Sequence, residues 1–181
     1  EFTKAKSNGL RWDDHSLPCR VPEPFDKASD RVAFRDGFKE TDAYMFLCTS
    51  QHPRVPQNNA IARYTDLGEL WLYSNTMKGT GYGRSVVSIS NGKSFVPRVA
   101  CVQDALANLG EISAVSSRER DIAGADWTRT ILHWKGHYFV VLDRMKALQE
   151  DEFAYVCRWR SINPASLEKG VWTAKSNTGN A

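Results

Sequence analysis

The chain is expected to be all-β, an antiparallel two-sheet β-sandwich of the supersandwich kind with at most one or two short helices. Three observations lead there. Short apolar or alternating segments recur along most of the 181 residues. Gly, Asn and Asp interrupt them at intervals of about ten residues. Hardly any stretch spaces its apolar residues as one face of a helix. Counting the segments gives about ten short strands. A hydrophobic fraction of 41% at this length suits one domain with its own core. The net charge of +3 comes from mixed charges without a dense Lys/Arg block, so a nucleic-acid partner is not called for. A mild positive bias does suit an acidic polymer. No run of about 18 apolar residues is present, so no membrane-spanning helix is expected. The chain opens on Glu1 rather than Met and closes on polar residues, and it reads as a piece of a larger protein.

Residues 1–24 contain Pro18, Pro22 and Pro24 and show neither a strand nor a helix period, so they read as an extended leading segment with Trp12 docked on the body. Residues 25–174 form the sandwich, and 175–181 a flexible tail. Residues 31–35 alternate polar with apolar, Asp36-Gly37 supplies a turn, and 43–48 is a continuous apolar run, which predicts two strands. A loop follows with His52, Arg54, two prolines and the amides Gln57, Asn58 and Asn59. Loops held between rigid strands are where chemistry usually sits. Residues 60–64 and 69–73 about Asp66-Leu67-Gly68 read as a hairpin. Residues 76–83 carry Gly79, Gly81 and Gly83 with neither a GxGxxG opening a helix nor a following Lys-Ser/Thr pair, so they form a loop rather than a phosphate cradle.

Strands are expected again at 85–90, 94–102 and 112–118, with a turn at Asn91-Gly92. Residues 103–109 are expected to form one short helix ended by Gly110. Residues 128–134 and 137–142 flank Lys135-Gly136, the signal of a two-residue hairpin. That turn sets Trp134 opposite His137 and His133 opposite Tyr138, which sends the two histidines to opposite faces and denies them a shared metal ion. Residues 153–160 and 170–173 complete the strands. Trp127, Trp134 and Trp159 are expected in the core or at its edges. Cys19, Cys48, Cys101 and Cys157 allow three pairings and lack metal spacing. Free buried thiols are the favoured reading, since a domain of this size needs no staples.

The order of these features resembles the C-terminal β-sandwich domain of the heparinase II/III-like polysaccharide lyases. The parallels are Arg35-Asp36-Gly37-Phe38 before an apolar strand, the loop from His52 to Asn59, the return Gly68-Glu69-Leu70-Trp71-Leu72, Gly81-Tyr82-Gly83, and Trp127 to Asp143 with Tyr138-Phe139-Val140-Val141-Leu142-Asp143. Members of the family resemble one another in a segment His-x-His-x-Asp-Gln-Asn. His52 matches its first His, and Gln57 and Asn58 its amide pair, whereas Arg54 and Pro56 stand where the second His and the Asp would be. The family's further metal ligands are likewise replaced, by Tyr73-Ser74-Asn75 and by Arg84. None of these groups binds zinc, so the resemblance implies a degenerate metal site, with no metal and no cofactor. Arg54 is expected to replace the metal by pairing with Glu69 or Asp66.

The family cleaves uronic-acid polysaccharides by β-elimination. The resemblance implies that His52 is catalytic. Asn58 and Asn59 have two readings, turn formers whose side chains satisfy loop backbone groups, which is favoured, and substrate contacts; Tyr82 and Arg84 stand where an acidic sugar could be met, or simply on a flexible surface loop. The remaining catalytic Asn and Tyr would come from an α/α-toroid domain that these residues do not include, so this domain alone would be inactive. A secreted or periplasmic location and an acidic-polysaccharide partner are implied in the same way. The alternative is a non-catalytic carbohydrate-binding or structural scaffold module.

Overall fold

A computed structural model describes residues 27–29, 31–49, 59–74, 85–92 and 101–176. The strands in order are β1 (Ala28–Ser29), β2 (Arg31–Arg35), β3 (Tyr44–Cys48), β4 (Ala60–Asp66), β5 (Glu69–Tyr73), β6 (Val87–Ser90), β7 (Cys101–Asn108), β8 (Ile112–Ile122), β9 (Ala125–Trp134), β10 (Tyr138–Ala147), β11 (Ala154–Cys157), β12 (Ala165–Glu168) and β13 (Val171–Ala174). No helix occurs among the described residues. A five-stranded sheet runs β1-β7-β8-β9-β10 and a four-stranded sheet runs β2-β3-β4-β5, with two small sheets, β11-β6 and β12-β13. All pairings are antiparallel. The fold is therefore the expected all-β, sandwich-like arrangement.

Alternation decides which side chains meet. Phe34, Met45, Leu47, Ile61 and Leu72 from the four-stranded sheet pack against Val115 and Ile131 from the five-stranded one. Each fully buried aliphatic side chain here contributes about 1.5–3 kcal/mol relative to exposure. A second cluster of Val87, Ile89, Ile122, Ala125 and Trp127 seats the β6-β11 sheet. Trp127 is a core residue at 1% exposure, while Trp134 and Trp159 lie at the surface.

The β4-β5 hairpin forms as expected, with Leu67 and Gly68 both at positive φ, 55° and 77°. That is the backbone hand that matches the strand twist. The β9-β10 connection is different. Trp134 pairs with Tyr138 and His133 with Phe139, so the turn holds Lys135, Gly136 and His137 rather than two residues. Of these only Gly136, at φ 73°, is left-handed, whereas the two-residue turn would require positive φ at Lys135 as well. His133 faces the core at 1% exposure, on the same face of β9 as Ile131. Its Nε2 lies 2.6 Å from Asp36 Oδ1, and its ring stacks on Phe139 at 4.2 Å. His137 sits in the turn with its ring 4.1 Å from that of Trp134.

The helix expected at 103–109 is instead part of β7, which pairs with β8 through a register shift between Gln103 and Ala105. Ala and Leu favour a helix only weakly, and a ladder to a long central strand overrides them. Gly110, at φ 80°, sits in the β7-β8 turn rather than capping a helix. Strand β12 escaped the sequence pattern because all of its residues are exposed.

Tyr64 supplies a pH-dependent element. Its phenol donates to Asp66 Oδ2 at 3.0 Å. Burial first, then the neighbouring Asp66 carboxylate and its hydrogen bond, then Asp36, push its pKa well above the usual tyrosine value. A raised pKa means that the stability it contributes is intact below about pH 10, the unfolded tyrosine value, and is lost as pH rises through the folded value. Tyr64→Phe should therefore flatten the fall of stability above about pH 10, as read by urea titrations at a series of alkaline pH values.

Candidate functional site

The sequence β9, Ala125–Trp134, turns Trp127, Arg129, Ile131 and His133 toward the sandwich interior. An arginine at such a position must be paired, because an uncompensated buried charge is very costly. Arg129 is fully buried. Its Nε and Nη2 donate to Asp143 Oδ1 and Oδ2 at 2.8 and 2.9 Å, a two-pronged geometry in which both oxygens are engaged. Asp143 is its cross-strand partner on β10. Trp127 Nε1 donates to the same carboxylate at 2.9 Å, and the guanidinium carbon lies 4.8 Å from the Trp127 ring centroid.

The remaining donor of Arg129 reaches across to the loops. Nη1 donates to the backbone carbonyls of Asn59 at 2.8 Å and of Ser85 at 2.9 Å. Asn59 directly follows residues 51–58, and Ser85 directly follows 75–84. One nitrogen therefore ties Asn59 to Ser85. Ile61 N donates to Ser85 O at 3.2 Å, Ser74 N to Ala62 O at 2.9 Å, and Cys101 N to Thr49 O at 2.8 Å. Ser74 Oγ donates to Ile61 O at 3.0 Å. The result is a polar frame at Thr49, Asn59, Ser74, Ser85 and Cys101, next to the ends of β3, β4, β5 and β7.

No protein-family model, curated protein or solved structure matches this chain.

Of the five residues singled out from sequence, Asn59 lies within the described residues; His52, Asn58, Tyr82 and Arg84 fall outside them, as do Arg54, Pro56 and Gln57. Asn59 shows the turn-forming part, the favoured of its two readings from sequence. It is fully buried, holds φ 56°, a region asparagine tolerates, and its Nδ2 donates to Ser117 O on β8 at 2.9 Å. Its side chain pegs the loop to the five-stranded sheet, which is the turn-forming use of asparagine. The expected pairing of Arg54 with Glu69 or Asp66 also falls outside the described residues. Of the two acids, Asp66 accepts the Tyr64 phenol and Glu69 Oε1 accepts Ser176 Oγ at 2.6 Å.

Cys48, Cys101 and Cys157 are free thiols. Cys48 and Cys101 are buried as expected, but Cys157 is exposed, on a strand whose four residues are all exposed. Burial, then the charge of Glu119, pushes the Cys101 thiol well up. Burial, then Asp143, pushes Cys157 up. Raised thiols make poor nucleophiles, so thiolate chemistry is not what these positions favour.

Arg129 itself was missed by motif reading. Under the two-residue turn expected at Lys135-Gly136, Asp143 would face away from Arg129; only the three-residue turn makes the two opposite charges cross-strand partners.

Proposed function

We propose that this domain is the β-sandwich of a heparinase II/III-like polysaccharide lyase, which works with a separate α/α-toroid in the β-elimination of uronic-acid polysaccharides and is inactive alone. The observation that carries the reading is the shared Arg129 Nη1 contact to Asn59 and Ser85. It ties Asn59, which follows His52 and Asn58 in the sequence, to Ser85, which follows Tyr82 and Arg84. The all-β sandwich and the order of the sequence features support the reading as well.

Such a reaction needs the uronate charge neutralised, a base for the proton at C5 and an acid at the leaving oxygen. Arg84 offers a permanent cation for the carboxylate. His52, with an ordinary pKa range close to neutrality for its residue type, suits one proton transfer. Asn58 and Tyr82 serve as polar contacts to the sugar. The toroid supplies the remaining groups.

The test is an ultraviolet assay for unsaturated uronic products with the full-length protein, its His52→Ala variant and this domain alone. The full-length protein should form product, His52→Ala should lose at least about 100-fold, and the domain alone should form none. Equal rates for the full-length protein and His52→Ala would remove His52 from the mechanism. Binding of the polymer without any product from the full-length protein would leave a carbohydrate-binding module.

A further inference from the structure

We propose that the outer face of the four-stranded sheet carries a second site, a groove that binds an acidic glycan through Arg35 and Arg63. The site shares no residue with the loop frame and holds whether or not the protein is a lyase. Its floor follows from strand parity. Phe34, Met45 and Leu72 point inward, which turns Arg35, Tyr44 and Thr65 outward in one cross-strand row, with Thr65 paired in turn to Leu70. Arg63 lies two residues along β4 on the same face. The rim is formed by residues 37–42 and by the β4-β5 turn, enclosing about 300 Å³.

The rim is held in place from below. Asp36 Oδ1 is fixed by buried His133 at 2.6 Å, Asp36 N donates to Ala43 O at 3.0 Å, and Leu67 N donates to Thr41 O at 3.1 Å. Asp42 Oδ2 accepts Lys39 N at 2.8 Å, and the carboxylate packs so closely on Gly37 that a Cβ there would collide with it. A preformed site loses little entropy when a ligand arrives.

The cations are available. The Arg35 guanidinium carbon lies 4.5 Å from the Tyr44 ring centroid and 5.3 Å from that of Phe38. A cation over an aromatic face keeps N–H groups available for a carboxylate or sulfate. Among the described residues neither Arg35 nor Arg63 has a carboxylate partner. Of the acids in the lining, Asp42 is engaged by the Lys39 amide and Glu69 by Ser176.

Two features select a glycan over other anions. Phe38 is 91% exposed beside the fork, an apolar ring placed where the C–H face of a pyranose would stack. The lining also balances Arg35, Lys39 and Arg63 against Glu40, Asp42 and Glu69. That balance lacks the dense positive charge that the phosphates of a nucleic acid would call for.

Isothermal titration of the 181-residue chain decides the matter, with a uronate oligosaccharide, a sulfated oligosaccharide, a neutral glucan and inorganic phosphate as probes. At least one acidic oligosaccharide should bind, less tightly as salt rises, while the glucan and phosphate should not. Arg63→Ala and Arg35→Lys should each weaken binding about tenfold or more, and Lys146→Ala, an exposed cation on β10, should leave it unchanged. Which acidic probe binds names the oxyanion. Failure of both acidic probes, equal binding of the glucan or of phosphate, or wild-type affinity in Arg63→Ala overturns the proposal.

Discussion

Arg129→Met lowers the unfolding free energy by about 3–5 kcal/mol, the loss expected when one member of a buried ion pair is removed. The substitution keeps much of the side-chain volume. It leaves Asp143 without the fork that engaged both of its oxygens and removes the side-chain donor to the carbonyls of Asn59 and Ser85, of which Ser85 keeps Ile61 N. Pairing it with Asp143→Leu removes the stranded charge, so the double variant should recover part of the loss. Urea denaturation of both single variants and the double variant forms a cycle that reads the coupling. Strictly additive losses would show that Arg129 and Asp143 do not act as a pair.

Trp127→Ala is the other large loss, about 3–5 kcal/mol for a fully buried aromatic truncated in a core. Its ring fills the cluster of Val87, Ile89, Ile122 and Ala125, and its Nε1 is the third donor to Asp143. Trp127→Phe keeps most of the apolar area and loses the N–H, so it should cost only about 1–3 kcal/mol. Amide exchange gives the spatial signature: β6 and β11 should lose protection before the β8-β9 ladder does. Uniform loosening of all strands would contradict this division of the core into two clusters.

The strands legible in the sequence are those whose two faces see different surroundings. The β2, β3, β4 and β5 segments each alternate or run apolar between strong turn signals, and their bounds are nearly those of the structure. The extent of β8 is less legible, because Arg118, Glu119, Arg120 and Asp121 look like a solvated end. Glu119 is in fact buried as β8 continues to Ile122. Residues 103–109 mislead through local propensity, since no window of that length contains the β8 strand that decides their conformation. β12 and β13 form a ribbon exposed along almost its whole length; β13 is read from Val171-Trp172-Thr173, whereas β12, without a buried face, leaves little alternation to read. At the loop frame the sequence draws the eye to His52 and the amides. The residue that holds the frame together is an arginine nearly seventy positions away, at 129, and only strand pairing brings it there.

The three-residue turn between β9 and β10 acts as the parity bit of the molecule. Strand side chains alternate, so adding or removing one residue in a connection exchanges the two faces of everything that follows in the strand. With Lys135, Gly136 and His137 in the turn, odd-numbered Phe139, Val141 and Asp143 face inward with odd-numbered His133, Ile131 and Arg129. A two-residue turn would have set odd against even, turned Asp143 to the solvent and left the Arg129 guanidinium buried with nothing to neutralise it. The glycine at 136 thus governs, from the tip of a surface ribbon, the charge balance at the centre of the fold.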